Sequence, residues 1–103
     1  MASINGADIK RIVIACEAGM GSSVLLTTQL AKRFKPYSVE VDHSPVNRLG
    51  DNPPDLVLCH EGLANRARDA VKDVVVVPFK LFMGDPAFDR VEAALRDGGS
   101  LDG

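Results

Sequence analysis

Ile12-Val13-Ile14-Ala15-Cys16-Glu17-Ala18-Gly19-Met20-Gly21-Ser22-Ser23 is an apolar run that ends in a cysteine and opens into a turn of small residues. Immediately beyond it, Leu26, Leu30 and Phe34 recur every four residues with Ala31 beside them, and Lys32, Arg33 and Lys35 close the last turn. The stretch predicts a strand that passes through a glycine-rich loop into an amphipathic helix. Such a loop aims successive backbone N–H groups, and the positive end of the helix dipole, at one point. A thiolate held at such a point is a stabilised nucleophile. A phosphoryl dianion attached to the sulfur would be cradled by the same donors.

Working outward, three further strands are predicted: Ser38–Asp42, Asp55–Cys59 and Asp73–Val77, after a first strand at Lys10–Ala15. The first, third and fourth are nearly continuous apolar runs, the pattern of strands covered on both faces in a parallel sheet. Leu63, Ala67 and Ala70 form a weaker helical stripe after Gly62. Asp85-Pro86 reads as an N-cap with proline at the first helical position, and Phe88, Val91 and Leu95 continue that helix until Gly98-Gly99. The connection His43–Pro54 is close to the minimum for a parallel crossover and has room for a helical turn around Val46–Leu49. This alternation predicts an α/β fold, a three-layer α/β/α arrangement on a four-stranded parallel sheet of order 2-1-3-4. The switch point then lies beside the first strand, where open α/β sheets bind ligands, and Cys16 sits at its carboxyl end.

A chain of 103 residues is one small domain, 1–103, with an ordered core expected at about 8–97. Met1–Ala7 read as a flexible lead and Asp97–Gly103 as a frayed tail. Apolar residues at 46% and charged residues at 25% give an ordinary globular balance. A net charge of -2 with scattered basic residues argues against a nucleic-acid partner. No run reaches the roughly 18 apolar residues of a membrane span, so direct membrane insertion is not expected. The two cysteines are expected reduced rather than bridged. Two histidines without compact ligand spacing predict no metal site, and no cofactor is expected.

Sulfur at this position matters because a phosphothiolate keeps a good leaving group, so the phosphoryl can move on to a hydroxyl. Its transfer spreads charge over three equatorial oxygens. The backbone N–H groups of Ala18, Gly19, Met20, Gly21, Ser22 and Ser23, with the hydroxyls of Ser22 and Ser23, are the predicted phosphate-binding set. Glu17 is expected to point outward, because a carboxylate beside a dianion is repulsive. A cysteine phosphatase of the low-molecular-weight tyrosine phosphatase type shares the strand-loop-helix geometry. It requires an arginine six positions after the cysteine, and Ser22 stands there.

With these residues in view, the chain resembles the enzyme IIB domain of the bacterial phosphoenolpyruvate-dependent sugar phosphotransferase system (PTS), in particular its mannitol branch. Cys16-Glu17-Ala18-Gly19-Met20-Gly21-Ser22-Ser23 resembles the signature loop, with Glu17 where aspartate is usual. The likeness continues through Ser44-Pro45-Val46-Asn47-Arg48-Leu49, Asp55–Leu63, Phe82-Met83-Gly84-Asp85-Pro86 and the last helix. It implies a cytoplasmic phosphotransferase component, peripheral to the membrane through enzyme IIC. Cys16 would take phosphate from a phosphohistidine of enzyme IIA and pass it to a sugar, mannitol or a related sugar alcohol, bound by enzyme IIC. The alternative of a different class is a regulatory domain whose Cys16 phosphorylation controls a transcriptional regulator. Cys59 stands where the resemblance leads one to expect threonine, and Gly62 shortens the polar cluster after it.

Glu17, Cys59 and His60 are candidate supporting residues around the phosphate. For Cys59, core packing is the favoured reading, with an oxidative bridge to Cys16 as a hypothesis. His60 lies at the carboxyl edge, where donation to phosphate or to a partner's carboxylate and purely local bonding are equally supported, and no catalytic role is expected of it. Lys80 follows the fourth strand on the same edge. Phe79, Leu81, Phe82 and Met83 suit either core packing or partner docking.

Overall fold

The computed structural model describes residues 3–16, 21–81 and 84–102, with the backbone alone at 21–23 and 102. Its elements run β1 (Ser3–Asn5), β2 (Arg11–Cys16), α1 (Gly21–Phe34), β3 (Glu40–Pro45), β4 (Leu56–His60), α2 (Ala64–Ala70), β5 (Val75–Phe79), α3 (Pro86–Asp97) and β6 (Ser100–Asp102). The main sheet has the order β3-β2-β4-β5, and each of its pairings is parallel. Counted from β2, this is the predicted 2-1-3-4 order in a three-layer α/β/α fold.

Strand β2 is buried from Ile12 to Cys16 because both of its faces are covered. Ile12 and Ile14 point into one core with Leu26, Leu30 and Phe34 of α1 and Phe88 and Val91 of α3. Val13 and Ala15 point into the other core with Val46, Leu49, Ala64, Ala67 and Val71. A period of two thus sorts one strand between two layers. At the amino end, Asp55 fixes the β2–β4 register: its carboxylate accepts from the backbone N–H groups of Lys10 and Arg11, at 2.9 and 3.0 Å.

Helix α1 buries the predicted stripe Leu26, Leu30 and Phe34. Near its end, Arg33 donates to Asp89 and Glu92 of α3, while the Tyr37 hydroxyl donates to Glu92 at 3.1 Å. The Arg33 side chain is one-third exposed, so these links are worth about 0.2–1 kcal/mol per pair and serve mainly to orient the helices. Asp85 caps α3 with Pro86 in its first turn, as predicted, and Gly98 closes that helix in the left-handed region at φ 72°.

The strand limits differ from the sequence reading in a systematic way. Lys35–Tyr37 form a 3-10 turn, and Ser38 leaves it in a left-handed conformation, so β3 starts at Glu40 and not at Ser38. A turn with Val74 donating to the Val71 carbonyl occupies the predicted start of β5. That strand instead runs on through Pro78, which an edge strand tolerates because it has a sheet neighbour on one side only.

The larger correction concerns the two ends. The lead and tail expected to fray are paired: β1 and β6 form an antiparallel ribbon with Ile4 opposite Leu101. Both side chains are partly buried against the α1–α3 core. Gly98 turns the chain back after α3, and the Gly6 N–H then donates to the Gly99 carbonyl at 2.7 Å. Each three-residue strand is too short to show a period in sequence, and each becomes legible only opposite the other.

Gly6 is buried and so close to α3 that a β-carbon would overlap the Ala94 carbonyl. Gly6→Ala is expected to cost about 1–3 kcal/mol, because a rigid backbone must move. Gly99→Ala, where a β-carbon meets nothing within 4 Å, is expected to be nearly neutral. Thermal denaturation of the two variants should separate their midpoints by at least roughly 5 °C.

Candidate active site at the carboxyl edge of the sheet

Cys16 is the last residue of β2 and is 7% exposed. The crossover from β2 leads to β3 on one side, and β4 lies on the other, so the sulfur stands at the switch point of the sheet. Its S–H donates to the Ser44 carbonyl at the end of β3, with Sγ 3.5 Å from the oxygen. Sequence could not point to this contact, because a main-chain acceptor has no residue signature.

Glu17, Ala18, Gly19 and Met20 lie outside the described residues. The backbone of Gly21, Ser22 and Ser23 forms the first turn of α1, and the side chains of these three also lie outside the description. The first-turn amides of a helix have no intrahelical acceptors. Strand, cysteine, short connection and helix start therefore follow one another in the predicted order.

The two thiols occupy opposite sides of the sheet. Ala15 is the register partner of Cys59, and both belong to the α2-side core, so Cys16 projects toward the other face. Cys59 is fully buried, and desolvation pushes its pKa up to about 11 despite an opposing contribution from Arg68. Its side chain packs within that core. The sheet between the sulfurs opposes the hypothesised bridge, and both cysteines are free thiols.

His60 ends β4 and caps the 3-10 turn Glu61–Leu63: its Nδ1 accepts from the Gly62 N–H at 3.2 Å. The ring meets Phe79 edge-on, with centroids 6.2 Å apart, and Phe79 packs in turn on Phe88 at 5.2 Å. His43, by contrast, is exposed on the edge strand β3. Arg66 and Arg68 lie on the exposed face of α2.

The loop leaving β5 resolves part of the predicted apolar cluster. Phe79 belongs to the core, Leu81 is 58% exposed, and Phe82 and Met83 lie outside the described residues. Val24 and Leu25, early in α1, are the other large exposed apolar side chains among the described residues. All three follow closely on the carboxyl end of a strand, on the edge that carries Cys16. A shallow cavity of about 390 Å³ opens there between Phe79, Lys80, Asp85 and Arg90.

Asp85 does more than the capping expected of it. Its carboxylate accepts from the N–H groups of Lys80 (2.7 Å), Leu81 (3.0 Å) and Ala87 (2.8 Å), so one buried side chain ties the exit of β5 to the start of α3. Burial alone would raise its pKa. The amides of Ala87, Leu81 and Lys80, with Arg90 nearby, hold it below the usual carboxylate value instead.

Residues 11–93 match the family described as PTS system, lactose/cellobiose specific IIB subunit, and the chain belongs to that family. Its similarity to named proteins points to the mannitol branch. It is 32% identical over 89 residues to the PTS system mannitol-specific EIICB component of Streptococcus pneumoniae, covering 84% of this chain and 15% of that protein. It is 29% identical over 92 residues to the same-named component of Geobacillus stearothermophilus, covering 87% and 19%. The mannitol-specific EIICBA component of Buchnera aphidicola is 32% identical over 92 residues, covering 86% and 14%. The chain thus spans less than a fifth of these relatives, and no helix among the described residues is long and apolar enough to cross a membrane.

A carboxylate with a depressed folded pKa contributes stability that is complete above its unfolded value, about 3.9, and is lost as pH falls through the lower folded value. Asp85→Ala should therefore destabilise by about 0.5–2 kcal/mol at pH 7, the usual cost of losing a cap. The gap to the parent protein should narrow below about pH 4, as read by urea denaturation at both pH values. For Cys59, iodoacetamide at neutral pH should leave the thiol unmodified in the folded protein and label it after denaturation, as read by peptide mass spectrometry.

Proposed function

We propose that this chain is the phosphocarrier component of a sugar phosphotransferase system, working through a phosphocysteine at Cys16. The donor is a phosphohistidine of enzyme IIA. Its N–P bond breaks as the S–P bond forms, and the thiol proton passes, through solvent, to the departing imidazole. In the second step the S–P bond breaks as a sugar hydroxyl, held by enzyme IIC, takes the phosphoryl group, and the hydroxyl proton returns to the departing thiolate. The sugar is mannitol or a related sugar alcohol, in keeping with the names of the relatives. Work of this kind is done at the cytoplasmic face of the membrane, with enzyme IIC as the anchor.

The observation that carries this reading is Cys16 at the switch-point end of β2, directly ahead of the short connection into α1. Amides from 18–23 are the proposed cradle for the phosphoryl oxygens, with Glu17 directed outward. Ser22 stands where a cysteine phosphatase needs arginine, so the loop has no guanidinium fork to drive hydrolysis. The exposed Val24, Leu25 and Leu81 supply a small apolar rim on the same edge. Such a rim suits a carrier that docks on two partners in turn, because modest interfaces release quickly.

Incubation with phosphoenolpyruvate, the general phosphotransferase proteins and a mannitol-type enzyme IIA should place one phosphate on Cys16, mapped by mass spectrometry. Membranes containing enzyme IIC should then convert mannitol to its phosphate. Cys16→Ser is expected to abolish onward transfer, and Cys59→Ser to retain most of it. Equal loss in both variants would overturn the assignment. Phosphorylation at Cys16 with no transfer to any sugar alcohol would identify a regulatory domain instead.

A further inference from the structure

We propose that Asp85 is a positioning residue for phosphoryl transfer: one carboxylate oxygen caps α3, and the other holds Leu81 at the surface for the phosphoryl donor. The inference rests on the phosphocysteine reading above. The two oxygens have separate partners. Oδ1 accepts from the Ala87 N–H at 2.8 Å, whereas Oδ2 accepts from the N–H groups of Lys80 and Leu81 at 2.7 and 3.0 Å.

Capping alone does not call for a carboxylate. Serine and asparagine cap a helix about as well as aspartate and carry no charge to bury. Asp85 is nonetheless a charged side chain buried to 8% exposure, the one such case among the described residues. Its second oxygen accounts for the choice, because two loop amides converge on it and a carboxylate oxygen has lone pairs for both. What that oxygen holds is a segment without a core anchor. Leu81 stands outside both apolar cores and is 58% exposed, and Lys80 is exposed beside it. The bonds to Asp85 fix the main chain there, where packing does not fix the side chain.

The held segment lies within the footprint of a partner at Cys16. Ala15, Cys59 and Pro78 form one row across β2, β4 and β5, so Cys16 and Phe79 stand at the next level of their strands. Two strand spacings, about 10 Å, separate them. A standard interface covers about 800 Å² of each partner, a disc of roughly 16 Å radius. A phosphoryl donor centred on Cys16 thus extends over the exit of β5 and meets Leu81, two residues beyond the end of that strand. The matching feature on the donor is apolar, since Leu81 offers neither charge nor hydrogen bond. Asp85 does not touch the donor and acts through Leu81.

Single-turnover transfer from a phosphorylated mannitol-type enzyme IIA, followed against donor concentration, separates docking from chemistry. Asp85→Ser keeps an acceptor for Ala87 but leaves the Lys80 and Leu81 amides without one. It should raise the half-saturating donor concentration by roughly fivefold or more, with the saturating rate within about twofold of the parent protein. Leu81→Ala should do the same. The double variant should be no worse than Leu81→Ala alone, because both substitutions remove one contact. An unchanged half-saturating concentration in Asp85→Ser, a loss confined to the saturating rate, or losses that multiply in the double variant would each overturn the proposal. Asp85→Asn keeps the cap and sets an NH2 group against the two loop amides. It should match Asp85→Ser, and it replaces that variant in the cycle if Asp85→Ser melts well below the parent. Mapping the phosphate in the parent protein keeps the two ideas apart. A label away from Cys16 refutes the phosphocysteine itself, whereas a label on Cys16 with unaltered donor dependence in the Asp85 variants refutes only the positioning role.

Discussion

Burial of β2 on both faces determines where the sulfur stands, because its neighbours on each side accept different shapes. Ile12 and Ile14 fill the core under α1 and α3, whereas Val13 and Ala15 fill the one under α2 and the turn at Val46–Asp51. A slip of one residue would exchange these sets and carry Cys16 to the wrong face. Fully burying one such aliphatic side chain is worth about 1.5–3 kcal/mol, so the register is enforced by several of them at once. Asp55 adds a polar stop at the amino end, through its bonds to Lys10 and Arg11. The strand then delivers its last residue to one defined point at the opposite edge.

The same partition gives two cysteines different surroundings at nearly the same height in the sheet. Cys59 faces a closed apolar core, where desolvation keeps the thiol protonated and no partner can reach it. Cys16 lies one residue beyond the paired position, where β2 gives way to the connection into α1. A single step along a strand thus moves a cysteine from the closed α2-side core to the end of β2 at the carboxyl edge. The likeness of the two residues in sequence hides this difference, and only the alternation of the strands brings it out.

Much of this was legible beforehand because the deciding signals are local. Continuous apolar runs marked the buried strands, the Leu26–Leu30–Phe34 stripe marked α1, and Asp85-Pro86 marked the start of α3. What escaped was long-range or carried by the main chain. The β1–β6 ribbon joins Ser3–Asn5 to Ser100–Asp102, and neither segment has a period of its own. The Ser44 carbonyl meets the sulfur through a main-chain group that every residue type possesses. The cap at Asp85 could be read from the proline after it, but its hold on Lys80 and Leu81 required the loop to fold back. Strand limits moved for a related reason, since the left-handed Ser38 and the turn at Val71–Val74 depend on how the chain enters the sheet.

The distribution of strong and weak contacts is compatible with the proposed carrier role. Helices α1 and α3 are tied through Arg33, Asp89, Glu92 and Tyr37 near the end of α1, the terminus farthest along that helix from Cys16. At the carboxyl edge, the binding is of another kind: the Asp85 carboxylate and His60 Nδ1 accept from backbone N–H groups and so shape the loops. Among the described residues, Val24, Leu25 and Leu81 are the large apolar side chains exposed on that edge, and Glu61 and Lys80 are exposed beside them. An edge with a few exposed apolar side chains and isolated charges offers a partner only a small contact area. A contact of that size releases readily, which suits the carrier role proposed for this chain.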